Sequence, residues 1–177
     1  MQFNLSLSAS QLFRSVRLFE HLSPEELSAV VRVAQPRRLA AGELLFSKSG
    51  PGDGMFIVER GELSVTTEGA NGEHLTLAYL GDGAFVGEMS LLDGSPRSAS
   101  VEAVAASSGF WMSREAFSAL RLDCPSAAMK VLWQLAQTLE TRRRGALSRL
   151  RLQLAQVEGE ASLGHEAREF LLLLRWV

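Results

Sequence analysis

Residues 85–99 read Phe85-Val86-Gly87-Glu88-Met89-Ser90-Leu91-Leu92-Asp93-Gly94-Ser95-Pro96-Arg97-Ser98-Ala99 and hold the most informative pattern in the chain. A strand is predicted to end at Phe85, and Gly87 removes a side chain where the backbone turns sharply or meets a ligand closely. Residues 88–92 are predicted to form one helical turn whose free N–H groups can bind an anion. The tight turn that follows returns the chain and brings Arg97 opposite that helix end.

The charged residues of this stretch suit a nucleotide. An arginine fork together with main-chain amides matches a phosphate that bears one negative charge. The carboxylate of Glu88 cannot bind such a phosphate directly, but it can accept a hydrogen bond from a ribose hydroxyl or pair with Arg97. Amides and an arginine for phosphate, with a carboxylate for sugar, predict a nucleotide pocket.

The sequence around this stretch predicts strands. From about residue 39 to residue 112 apolar and polar residues alternate with a period of two, most clearly in residues 63–68 and 75–80. Such alternation is typical of half-buried strands. Glycine-rich turns separate the series, and Asn71-Gly72 is a good hairpin turn. Many short strands at this spacing favour a sandwich or a barrel.

Two helices are predicted before the strands. A short one covers Ser10 to Phe19. Ser23 can cap a second helix, with Pro24 at its first position and Glu26 completing a capping box. The proline at position 36 is predicted to end that helix.

Helical patterns return after the strands. Ser113 can cap a helix that reaches Leu120, and Pro125 can start a long helix that runs to about Val157. A last short helix is predicted from residue 165 to residue 176. The long helix carries a loose apolar stripe, which predicts a homodimer through the C-terminal helix.

These patterns divide the chain into three parts. Residues 1–35 form the N-terminal helices, residues 36–124 form the β-rich part, and residues 125–177 form a C-terminal helical extension.

The composition is that of an ordinary globular protein. The hydrophobic fraction is 46%, and the net charge of −2 gives no global positive field that would recruit nucleic acid or an anionic membrane. The single cysteine, Cys124, cannot form an internal disulfide and fits a reducing setting. No signal-peptide pattern opens the sequence, and the longest apolar run, residues 170–174, is too short for a bilayer. We expect a soluble, cytoplasmic protein.

Residues 85–99 resemble the phosphate-binding cassette of the cyclic nucleotide-binding domain family, whose pattern is Phe-x-Gly-Glu-x-Ala/Ser-Leu, a short gap, and Pro-Arg-Ser/Ala/Thr-Ala. A second signature that is similar to the family runs from Gly52-Asp53 to Gly61-Glu62-Leu63-Ser64-Val65. The resemblance covers roughly residues 10–145. It implies a mainly β fold with flanking helices: a double-stranded β-helix, or jelly-roll-like β-roll, followed by a long C-terminal helix. It includes no helix-turn-helix, kinase or channel segment.

The resemblance also implies a role for each matching residue. Glu88 would bind the ribose 2′-hydroxyl and Arg97 the cyclic phosphate, while main-chain amides surround both groups. Leu77 would contact the base, with Arg142 and Arg143 on the long helix as further candidates, because that helix usually closes over the base. The implied ligand-binding residues are Gly87, Glu88, Met89, Ser90, Arg97, Ser98, Ala99, Leu77, Arg142 and Arg143.

The expected activity is binding of a cyclic nucleotide without any reaction. Cyclic AMP is favoured over cyclic GMP, because Ser98 stands where related cyclic-AMP-binding transcription regulators also carry serine. Neither a Ser-His-Asp set nor a P-loop is present, and His21, His74 and His165 are too scattered to form a metal cluster with one cysteine. The nucleotide is therefore the only small molecule expected.

Two other interpretations stay open. One is a scaffold of the same fold that has lost its ligand and mediates protein interaction. The other is a fragment of a transcription regulator that ends before its DNA-binding domain. The arginines at 142–144, 149 and 151 are better explained as a helix surface than as a nucleic-acid contact. A stand-alone sensor would act through an effector protein that the sequence does not identify.

Overall fold

The computed structural model describes residues 2–69 and 72–160 of the 177-residue chain. The described residues divide into two units, with the boundary between Gln134 and Leu135. The helices of the described residues are α1 Gln2–Ser15, α2 Pro24–Val33, α3 Met89–Asp93, α4 Arg114–Asp123 and α5 Pro125–Glu160, with a 3₁₀ turn at Arg17–Phe19.

The strands form two antiparallel sheets of four strands each among the described residues. Their order is β1-β8-β3-β6 in the first sheet and β2-β7-β4-β5 in the second. The strands are β1 Gln35–Leu39, β2 Leu44–Phe46, β3 Gly54–Arg60, β4 Leu63–Glu68, β5 His74–Leu80, β6 Phe85–Val86, β7 Ser100–Ala103 and β8 Ser107–Ser113. The predicted mainly β fold with flanking helices and a long C-terminal helix is confirmed.

Side chains from both sheets build one hydrophobic core. The first sheet contributes Phe56 and Val58 from β3, and the second contributes Leu63 from β4 and Val101 from β7. All four are fully buried. Neither sheet alone can remove these apolar side chains from water, so their burial favours closure of the two sheets around them.

Helix α1 packs on the other face of the first sheet through Phe13. Phe13 of α1 stacks on Phe19 at 4.9 Å and meets Phe110 of β8 edge to face at 5.4 Å, measured between ring centroids. The Ser23 cap is confirmed with its capping box: its side chain accepts from Glu26 N, and its own N–H donates to the Glu26 carboxylate. The first helix differs from the prediction. It begins at Gln2 and ends at Ser15, because Val16 has an extended backbone that separates it from the 3₁₀ turn.

Strand β5 corrects one prediction. The alternation in residues 75–80 indicated a half-buried strand, but residues 74–79 are exposed on both faces and only Leu80 is partly buried. The reason is position: among the described strands β5 is the last of its sheet and pairs only with β4, and it is Leu80, at its end, that packs against the core. The pairing also slips by one residue, so that Leu77 has no register partner between Thr76 and Ala78. A bulge of this kind changes the direction of a side chain.

The C-terminal helices begin where the sequence placed their starts. The Ser113 side chain accepts from Ala116 N at the start of α4, and α5 begins at Pro125. Helix α5 continues to Glu160, three residues beyond the predicted end. The predicted helix at residues 165–176 and Asn71 of the predicted hairpin turn lie outside the described residues. In the part of the chain that is described, no helix combines the length and the apolar character needed to cross a membrane.

Candidate functional site

The cassette at residues 85–99 connects the two sheets. Strand β6 of the first sheet ends at Val86, α3 follows at Met89–Asp93, and the chain enters β7 of the second sheet at Ser100. The turn between α3 and Arg97 is fixed by Asp93, whose carboxylate accepts from both the N–H and the hydroxyl of Ser95 at 2.9 and 2.7 Å. These two bonds lower the pKa of Asp93. The predicted sequence of strand, helical turn and tight turn is observed.

Arg97 is the central side chain of the cassette and is only 2% exposed. Its Nη1 donates to the carbonyl oxygens of Gly54 at 2.7 Å and Gly87 at 3.2 Å. Its Nη2 donates to Asp53 Oδ1 at 2.7 Å. Burial lowers the pKa of Arg97, while the bond to Asp53 and the negative charges of Asp53 and Glu88 act in the opposite direction. An arginine keeps its proton in proteins, so the fold holds a buried cation at this point.

Gly87 makes room for that cation. Its backbone has φ +82°, which favours glycine, and a Cβ at this position would lie 2.5 Å from Arg97 Nη1. The same Cβ would lie 2.9 Å from the Gly54 carbonyl oxygen. The sequence predicted that Gly87 meets a ligand closely or turns sharply. The structure adds that Gly87 meets the guanidinium of its own chain.

A loop at residues 47–54 fixes the main chain of Arg97. Ser49 N donates to the Arg97 carbonyl at 2.8 Å, and Arg97 N donates to the Gly50 carbonyl at 3.1 Å. Ser49 adopts φ +63°, which is uncommon for a residue with a side chain. The same loop supplies Asp53 and Gly54 to the guanidinium. Arg97 is therefore held by this one loop at both its backbone and its side chain.

Asp53 is the functional residue that the sequence reasoning missed. Arg97 forms an ion pair with Asp53, whose side chain is 61% exposed; the pairing of Glu88 with Arg97 stays a prediction. Glu88 is 4% exposed and contributes a weaker electrostatic effect on Arg97. The signal in the sequence is the Gly52-Asp53 pair of the second signature.

The predicted site residues fall into four groups. Gly87, Glu88 and Arg97 come together, and the α3 backbone at Met89 and Ser90 continues from them. Of the two residues after Arg97, Ser98 is exposed and Ala99 is buried. Leu77 lies apart on the edge strand β5.

Arg142 and Arg143 lie on α5 in the second compact unit. Arg143 donates to both carboxylate oxygens of Glu140, at 2.8 and 3.1 Å. The bonds from Arg143 and Arg144 lower the pKa of Glu140 to about 2. These contacts are internal to the helix, so the role of Arg142 and Arg143 toward a base stays a prediction.

Among the described residues, no group of three or more His, Cys, Asp or Glu side chains could hold a metal ion.

Comparison with known proteins gives one family. Residues 36–123 match the family described as cyclic nucleotide-binding domain. The cyclic AMP receptor protein of Thermus thermophilus is 34% identical over 122 residues, which is 69% of this chain and 56% of that protein. A cyclic nucleotide-gated potassium channel of Mesorhizobium japonicum is 42% identical over 93 residues, which is 52% of this chain and 24% of that protein. The chain thus spans between a quarter and little more than half of these relatives.

Solved structures give the same result. A cyclic nucleotide-binding domain from Methylobacillus flagellatus is similar with a TM-score of 0.75 and 29% identity, covering 92% of this chain and 86% of that one. The catabolite activator protein of Thermus thermophilus is similar with a TM-score of 0.69 and 34% identity, covering 80% and 64%.

Proposed function

Because residues 36–123 belong to the cyclic nucleotide-binding domain family, we propose that this chain binds a cyclic purine nucleotide as a regulatory sensor and catalyses no reaction on it. The observation that carries the proposal is the buried guanidinium of Arg97 in the cassette. Isolating a cation from water is costly unless charges and hydrogen bonds compensate for it. The partner of this cation is an exposed carboxylate, which a cyclic phosphate can join or replace at the guanidinium.

In this proposal the other cassette residues bind different parts of the nucleotide. Glu88 accepts a hydrogen bond from the ribose 2′-hydroxyl, which its burial supports because a buried carboxylate gains most from a donor. The amides of Gly87, Met89 and Ser90 face the phosphate and sugar from one side. Those of Ser98 and Ala99 face them from the other, where the Ser98 hydroxyl adds a donor.

We propose that the base of the nucleotide lies against the edge strand β5. Leu77 is 60% exposed and carries no register partner, so an adenine can cover it without displacing a neighbouring strand. We favour cyclic AMP over cyclic GMP on the serine at position 98. The relatives support this preference only in part, since they include a cyclic AMP receptor protein and also a cGMP-dependent protein kinase of Caenorhabditis briggsae.

Signalling is proposed to run through the extension at residues 125–177, which would close on the base through Arg142 and Arg143 and pair two copies of the chain. Met129 and Trp133 lie one helical turn apart on α5 and are both exposed, which favours a partner for this part of the helix. A ligand shifts such a helix only by its difference in affinity for the two arrangements. An effector protein would receive the signal.

A ligand-free scaffold remains the second candidate, and one observation favours it. The chain itself supplies two carbonyls and a carboxylate to Arg97, so the cation is stabilised without a nucleotide. The proposed binding therefore requires that a phosphate join or displace Asp53. In a scaffold the same contacts would be permanent.

A thermal shift panel separates the two candidates. The chain is heated with cyclic AMP, cyclic GMP or a cyclic dinucleotide. A ligand at 100 times its dissociation constant adds ~2.7 kcal/mol to the free energy of unfolding. We expect a clear rise in melting temperature with cyclic AMP, a smaller one with cyclic GMP and none with the dinucleotide. The absence of any rise at millimolar nucleotide would favour the scaffold.

A further inference from the structure

Two aromatic rings meet the Arg97 guanidinium from different sheets. The guanidinium carbon lies 4.0 Å from the ring centroid of Phe46 on β2 and 5.7 Å from that of Trp111 on β8. Both distances are within the ~6 Å over which a cation is attracted to a ring. Both rings also pack against the core between the sheets. The guanidinium is thus connected to the core through aromatic contacts in addition to its hydrogen bonds.

The aromatic rings and the hydrogen bonds restrict different motions of the Arg97 guanidinium. All five N–H donors of a guanidinium lie in its plane, and the contacts with Asp53, Gly54 and Gly87 use that plane. The two flat faces make no ordinary hydrogen bonds and are weakly hydrated, so aromatic rings suit them. Acceptors that lie in the plane of the guanidinium do not by themselves prevent the group from tilting out of that plane. A ring against a face restrains it.

Two glycines leave the space that the rings occupy. A Cβ on Gly87 would lie 3.3 Å from Phe46 Cε1, in addition to its approach to Arg97. A Cβ on Gly54 would lie 2.7 Å from Trp111 Cζ2. The same two glycines supply the carbonyl oxygens that accept from Arg97. At Gly54 and at Gly87, therefore, the backbone both accepts a hydrogen bond from the cation and leaves space for an aromatic ring beside it.

From this geometry we propose that Phe46 and Trp111 are positioning residues for nucleotide binding: their rings clamp Arg97 so that its fork is oriented for the phosphate. The proposal rests on the proposed function, since the phosphate is that of the cyclic nucleotide. Phe46 is the stronger member because it is closer. Trp111 is also 5.7 Å from the guanidinium carbon of Arg37 and is shared between two cations.

Titration calorimetry with cyclic AMP tests the clamp. We expect Phe46→Leu to raise the dissociation constant about tenfold and Trp111→Leu about threefold, in line with a desolvated cation–π contact. Phe46→Tyr keeps a ring and is expected to bind within about threefold of the parent chain. The matched control is Phe110→Leu, which removes the neighbouring ring of β8 that packs on Phe13 instead. It should bind normally. Normal binding by Phe46→Leu, or equal losses in Phe46→Leu and Phe46→Tyr, would overturn the proposal.

A second measurement needs no nucleotide. Urea unfolding of the parent chain, Phe46→Leu, Arg97→Met and the double variant gives the coupling between the two side chains. We expect clear coupling for this pair and none when Phe110→Leu replaces Phe46→Leu. If the parent chain binds no nucleotide, the proposed function fails, and the coupling alone decides whether the clamp exists. If nucleotide binds but the coupling is zero, the clamp fails and the proposed function stands.

Discussion

The cassette at residues 85–99 and strand β5 differ in how much of their chemistry the chain satisfies by itself. In the cassette, Glu88 and Arg97 are almost completely buried, and the cation has hydrogen-bond partners in Asp53, Gly54 and Gly87. In β5, Leu77 and its neighbours are exposed on both faces and pair with a single strand.

This difference suggests a division of labour. Groups that are held in place before a ligand arrives lose little freedom on binding, so the cassette should supply most of the affinity. An open edge strand has no such preparation and can meet bases of different shape. The strand should therefore adjust which nucleotide binds more than how tightly it binds. Each of the following experiments compares the two regions, starting with the largest expected effect.

Removal of the cation should cause the largest loss. Arg97→Met keeps an apolar chain but leaves no charge for the phosphate. Since breaking a buried charged pair costs ~3–5 kcal/mol, we expect cyclic AMP to bind at least about 100-fold more weakly by calorimetry. Arg38→Met, on the exposed side of β1, makes the same change in net charge and should bind normally. Near-parent affinity in Arg97→Met would remove the basis of the proposed function.

Gly87→Ala should cause the next largest loss. The backbone at φ +82° costs an alanine ~1–2 kcal/mol, and its Cβ would also displace Arg97. Gly83→Ala is the matched control, because Gly83 has φ +78° and open space around a Cβ. Urea unfolding should show a loss in both variants. Calorimetry should show about 10- to 100-fold weaker binding in Gly87→Ala only, as overpacking of ~1–3 kcal/mol implies. Equal binding in the two variants would contradict the close approach.

Glu88→Gln should cause an intermediate loss that depends on the sugar. A hydrogen bond to a charged group contributes ~1.5–3 kcal/mol, so cyclic AMP should bind about tenfold more weakly. The 2′-deoxy analogue lacks the hydroxyl, and its affinity should change little between the parent chain and Glu88→Gln. Competition binding of both nucleotides measures this difference directly. A loss of the same size for both would place Glu88 away from the ribose.

Leu77→Ala should cause the smallest loss. Its exposed side chain can bury only part of its surface against a base, and at ~0.8 kcal/mol for each buried methylene we expect about threefold weaker binding. The ratio of cyclic AMP to cyclic GMP affinity should change, whereas Thr76→Ala on the same strand should leave that ratio unaltered. If Leu77→Ala lost as much affinity for cyclic AMP as Arg97→Met, strand β5 would contribute to affinity as strongly as the cassette, and the proposed division of labour would be wrong.

Sequence reasoning succeeded where the structure depends on near neighbours. The Ser23 capping box joins residues three apart, and the Asp93–Ser95 turn joins residues two apart. Such contacts are encoded in short stretches of sequence. The cassette follows the same rule: its strand, helical turn and tight turn lie within fifteen residues, and its resemblance to the family pattern rests on that stretch.

The reasoning failed where the outcome depends on distant parts of the chain. Asp53 and Arg97 are 44 residues apart, and their pairing needs both sheets to be formed. The alternation in β5 is the same for a central strand and for an edge strand, so it could not reveal that both faces are exposed. The aromatic neighbours of Arg97 come from β2 and β8, and no local pattern predicts that these two strands meet at Arg97.

The loop at residues 47–54 has a consequence for recognising related chains. Surface loops usually tolerate insertions and deletions, because their length matters little to the core. Here Ser49, Gly50, Asp53 and Gly54 each hold a different atom of Arg97. One added or missing residue between Gly50 and Asp53 would shift some of these partners out of reach. A search pattern for chains that share this arginine site should therefore forbid gaps at residues 49–54.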